Sequence, residues 1–60
     1  MSAKRWSCVE YACDYETVQP DETAIVAAAQ RHIADAHGSF ELEEMILAVV
    51  VDTDAPVDAE

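Results

Sequence analysis

Cys8-Val9-Glu10-Tyr11-Ala12-Cys13 and, farther along, His32-Ile33-Ala34-Asp35-Ala36-His37 decide the fold. Between them they hold every cysteine and every histidine of a 60-residue chain, in a C-x4-C-x18-H-x4-H array. Two thiolates and two imidazoles complete a tetrahedral shell for Zn²⁺ with no donor left over. A closed shell leaves no position for a substrate, so Cys8, Cys13, His32 and His37 are expected to hold a structural Zn²⁺ and no catalytic one. Each residue alone has a plainer reading. His32 could be a core histidine, His37 a solvated residue favoured by a helix dipole, and the cysteines buried hydrophobes or a disulfide. All four together favour the metal. Iron–sulfur binding would take more thiolates.

The length makes such a staple necessary. A chain of this size buries only about 60% of its unfolded surface, and its core alone is marginal. A single disulfide closing the short Cys8–Cys13 loop would contribute far less than a structural zinc, at roughly 10–16 kcal/mol. A catalytic Cys-His pair would need a pocket that so short a chain has little room to build. No enzyme activity is expected.

Outward from the cysteines, Lys4–Cys8 reads as a first strand with Trp6 and Cys8 on one face. Cys13–Val18 reads as a second, in which Cys13, Tyr15 and Thr17 alternate with Asp14, Glu16 and Val18. Gln19-Pro20-Asp21 stops the sheet, and Asp21 is a helix N-cap. A helix is predicted from Glu22 to His37, with an apolar stripe of Ile25, Ala29, His32, Ile33 and Ala36, flanked by Val26 and His37. Gly38 sits where a left-handed residue would end it. Residues five apart on a regular helix are separated by about 140° and about 7.5 Å, so the last turn is expected to tighten or unwind for both rings to meet one ion.

Ser39 is a candidate cap for a second helix starting near Phe40, with Phe40, Leu42, Met45 and Ile46 as core. Val49, Val50 and Val51 fit a strand as well as a helix. The result is an α+β class, a small zinc-finger-like ββα domain over residues 4–51 with a second short C-terminal helix. Residues 52–60, acidic and containing Pro56, are expected to form a disordered tail. Trp6 and Tyr15 are expected to cover the inner face of the hairpin against Ile25 and Ala29.

Thirteen acidic residues face three basic ones, for a formal net charge of −10. This self-repulsion opposes folding in ordinary salt and is screened at molar salt, where the Debye length falls to about 3 Å. Together with a single lysine and abundant alanine and valine, this points to a halophile. The longest apolar run, Met45–Val51, is far shorter than the ~20 residues that cross a bilayer. Lys4 and Arg5 lead into Trp6-Ser7-Cys8 with no apolar run of a secretory signal. A reduced, cytoplasmic protein is expected, with no membrane partner.

The cysteine pair, the strand opening Cys13-Asp14-Tyr15, the helix start Asp21-Glu22-Thr23 and the helix end His32-x4-His37-Gly38 resemble a family of very small prokaryotic metal-binding proteins of unassigned function. The chain is also similar to acidic haloarchaeal C2H2-type zinc-finger proteins, which include a regulator of bacterioopsin gene expression. The resemblance spans about residues 4–50. It implies zinc-ligand roles for Cys8, Cys13, His32 and His37 and, through the haloarchaeal comparison, a part in transcription regulation. Charge argues against DNA as the direct partner, since a DNA reader presents a basic face and Arg31 here lies beside Asp35. The expected partner is a protein, bound by a monomer or homodimer, either in regulation or in an interaction role unrelated to transcription.

Overall fold

Ala3-Lys4-Arg5-Trp6-Ser7 forms β1, with Trp6 turned inward and nearly fully buried in the computed structural model, which describes residues 2–58. Glu16–Gln19 forms β2, antiparallel to β1, with Trp6 opposite Thr17 and Ser7 opposite Glu16. Both strands are displaced by comparison with the predicted 4–8 and 13–18. The sheet stops at Ser7 and resumes at Glu16, so Cys8 and Cys13 lie in the connecting loop instead of ending and starting strands. One further ladder contact, from Cys8 N–H to the Tyr15 carbonyl at 2.9 Å, anchors the base of that loop.

Helix α1 spans Glu22–His37, as the periodicity predicts. Asp21 takes an extended backbone, and its Oδ1 accepts from Ala24 N–H at 2.9 Å. Asp21→Ala removes this cap and is expected to cost about 1 kcal/mol of stability, measurable by denaturant titration of the metal-loaded chain. Ile25, Val26, Ala29 and Ile33 are buried against Trp6 and Ile46. Val26, placed at the flank of the stripe, is thus core, whereas Ala36, expected on the stripe, is exposed. Gly38, at φ 60°, reverses the chain, and its N–H donates to the Ala34 carbonyl at 3.2 Å.

The C-terminal third departs most from expectation. Ser39 caps nothing. The chain stays irregular to Leu42, which serves as N-cap without a side-chain bond, and α2 is the single short helix Glu43–Leu47. Only Ile46 of the expected core group is buried; Phe40, Leu42 and Met45 are exposed. Residues 52–60 are not simply a tail. Val51–Thr53 forms β3, antiparallel to β1 on its other edge, giving the order β2-β1-β3. Two forces account for this. The β-branched run favours strand, and the outer edge of β1 offers backbone groups that need partners. Lys4 pairs with Asp52 across the new ladder, and the hydrogen bond and attraction to that carboxylate raise the Lys4 pKa. Beyond β3, Asp58 reaches the far edge: its N–H donates to the Val18 carbonyl at 2.9 Å and its carboxylate accepts from Val18 N–H at 3.0 Å. Residues 59 and 60, the end of the expected tail, lie outside the described residues.

The fold is therefore α+β, a zinc-finger-like ββα unit whose sheet gains a third strand after the second helix. Among the described residues, no helix is long and apolar enough to cross a membrane.

Candidate metal centre

The loop between β1 and β2 is a tight knuckle. Cys13 N–H donates to the Glu10 carbonyl at 3.2 Å, and Ala12 takes the left-handed backbone, at φ 60°, that closes the turn. This geometry brings two cysteines five positions apart to one side of the loop. Helix α1 crosses the hairpin so that its C-terminal half faces that side.

All four predicted residues meet there. Donor atoms of Cys8, Cys13, His32 and His37 lie within 4.8 Å of one another, and each residue is half-buried. Cys8 Sγ is 3.4 Å from His37 Nε2, and Cys13 Sγ is 3.4 Å from His32 Nε2. On a tetrahedral zinc with bonds near 2.3 Å to sulfur and 2.0–2.1 Å to nitrogen, a sulfur and a nitrogen stand about 3.6 Å apart and two sulfurs about 3.8 Å. The two Cys-His pairs already have close to that edge length, and the widest spacing exceeds it by about 1 Å. The donor set and its dimensions fit one metal ion.

The expected loosening of the helix does not occur. Helix α1 continues through His37, and the reversal comes only at Gly38. Convergence is instead a property of the side chains. Each Cα–Cβ bond of a helix tilts toward its N-terminus, so the ring of His37 leans back along the axis toward His32. The two rings meet edge to face, 5.1 Å apart at 81°.

Tyr15 has a role the sequence reading missed. Its ring is stacked on His32 with centroids 3.9 Å apart and planes 7° from parallel, while Trp6 approaches the same imidazole edge-on at 6.0 Å. These two rings constrain the plane of His32 from its face and its edge. The sequence signal was its position two residues after Cys13, but alternation assigned that face to Ile25 and Ala29. Tyr15 is instead partly exposed.

The electrostatics of the metal-free site favour the protonated thiol. Burial, and to a smaller degree the neighbouring Cys13 thiol, push Cys8 above the ordinary cysteine range, against a lowering contribution from the Glu10 backbone. With no ion beside it, the folded arrangement therefore holds the Cys8 proton to higher pH than an ordinary cysteine does. A bound metal reverses this, because the thiolate is the ligand and every returning proton competes with the ion. Apparent metal affinity should thus fall steeply as pH drops below the ordinary thiol range, about 8.5. Competition with a chromophoric chelator across the pH range measures this; affinity independent of pH would contradict it.

Comparison with protein-family models, with curated proteins and with solved structures finds no match. The case for a metal centre therefore stands on the four side chains and their geometry.

Proposed function

We propose that the protein is a small zinc-binding protein of a halophile's cytoplasm, with a structural C2H2-type site, that regulates transcription through a protein partner. The observation that carries the zinc assignment is the convergence of four donors, two sulfur and two nitrogen, within 4.8 Å. That set saturates a tetrahedral ion, and the ion then serves to hold the knuckle against α1 and not to activate water or substrate. The protein is accordingly no enzyme.

The transcription role rests on the resemblance to haloarchaeal zinc-finger proteins, and the indirect mode on charge. All three basic side chains are engaged in ion pairs, Lys4 with Asp52, Arg5 with Glu16 and Arg31 with Asp35. Each therefore has a carboxylate beside it, and three such cations on a chain of net charge −10 supply little of the phosphate neutralisation behind most non-specific DNA affinity. Phe40, Leu42 and Met45 are exposed and suit contact with protein. Their exposure equally favours a second reading, an interaction module with no part in transcription.

Affinity purification of the zinc-loaded chain in molar KCl, paired with transcript profiling of a deletion strain, separates the two. Co-purification of a transcription factor with an altered transcript profile supports regulation. A bound partner with an unchanged profile supports the second reading. Retardation of promoter DNA by the pure protein would overturn the indirect mode.

A further inference from the structure

A small apolar cleft opens beside the metal centre, between the knuckle loop and α2. Its floor is Trp6, Ile33 and Ile46, all buried, and its rim is formed by Val9, Met45 and Val49, all exposed. It holds about 120 Å³. An engineered apolar cavity of about 150 Å³ accepts a benzene molecule, so this space suits one aliphatic side chain. Cys8 forms part of the wall, and two acidic residues, Glu10 and Glu41, also line the cleft. Neither belongs to any of the ion pairs among the described residues. Both are held at their backbones: the Glu10 carbonyl accepts from Cys13, and the Glu41 carbonyl accepts from Gln30 Nε2 at 3.1 Å. The cleft thus combines apolar depth with two acidic lining residues, and in such a pocket one buried anchor side chain carries most of an interface's energy.

We infer that this cleft is the docking site for a partner-protein segment that presents one aliphatic side chain between lysine or arginine residues. The inference deepens the proposal of a protein partner and rests on the metal-held frame. Charge selects this occupant over the others. A second copy would bring another net charge of −10 against Glu10 and Glu41. The chain's own C-terminal stretch is committed elsewhere, since Asp58 is bonded to Val18 at the β2 edge. Nucleic acid would meet the chain's own net negative charge. An apolar anchor with cationic flanks fills the cleft and pairs the two free acids together.

The test titrates the full, zinc-loaded chain, followed by amide NMR, with a synthetic peptide bearing one leucine between Lys/Arg flanks. Two analogues accompany it, one with serine for the leucine and one with glutamate flanks. The account expects saturable shifts centred on Val9, Glu10, Ile46 and Val49, and at least tenfold weaker binding of both analogues. Val49→Glu should weaken the parent peptide at least tenfold. Glu10→Gln combined with Glu41→Gln should weaken it several-fold in dilute salt and by a smaller factor in molar KCl, where charges are screened beyond contact distance. Equal binding of the serine analogue, shifts centred on another face, no saturable binding, or a concentration-dependent dimer that buries the same amides would each overturn the assignment. Zinc content measured in the same samples separates failure of the docking site, with metal retained, from failure of the metal frame itself.

Discussion

Cys13→Ala or His32→Ala is expected to leave a chain that no longer folds cooperatively, even with zinc in excess. The two residues sit on different elements, one in the knuckle and one in α1, and Cys13 Sγ lies 3.4 Å from His32 Nε2. Removing either leaves three donors and only one of the two Cys–His links between loop and helix. Structural zinc contributes on the order of 10–16 kcal/mol in finger peptides, and that binding energy is folding energy. The apolar core of a domain this small supplies about 3–5 kcal/mol, which cannot replace it. Amide NMR dispersion and a denaturant transition are the readouts. Wild-type dispersion in either variant would mean that the core alone holds the fold.

Trp6→Ala is expected to cost about 3–5 kcal/mol while leaving the metal bound at saturation. Trp6 is 2% exposed and packs with Ile25, Val26, Ala29, Ile33 and Ile46, so it joins the sheet to both helices. It also lies edge-on to His32, which links the core to the centre. Its loss should lower the unfolding midpoint of the zinc-loaded chain sharply and weaken zinc binding modestly. A change in stability below about 1 kcal/mol would show that the site, and not Trp6, organises the packing. The contrast between the two experiments matters: the first removes the staple, the second the core that the staple supports.

The parts of this architecture visible in the sequence are those set by local chemistry. Asp21 capping, the spacing of Ile25, Ala29 and Ile33, and Gly38 at the reversal fix α1 over its full length. The four donors were identifiable because every cysteine and histidine belongs to one array. What escaped depends on contacts between distant residues. Val51–Thr53 pairs with β1 only because that strand has a second open edge, 48 positions away in the case of Lys4 and Asp52. Apolar residues near Phe40 look like core in a helical pattern, but α2 is too short to bury them and only Ile46 reaches the interior. The stacking of Tyr15 on His32 requires the strand register and the helix orientation together. Likewise, the two imidazoles converge by the tilt of their side chains, which spacing along an ideal helix does not reveal.

Native mass spectrometry of gently purified protein, with amide NMR recorded before and after a chelator, tests the central claim most directly. One zinc ion per chain, and loss of dispersed resonances once it is stripped, is the predicted result. A metal-free mass, or a spectrum unchanged by the chelator, would contradict it.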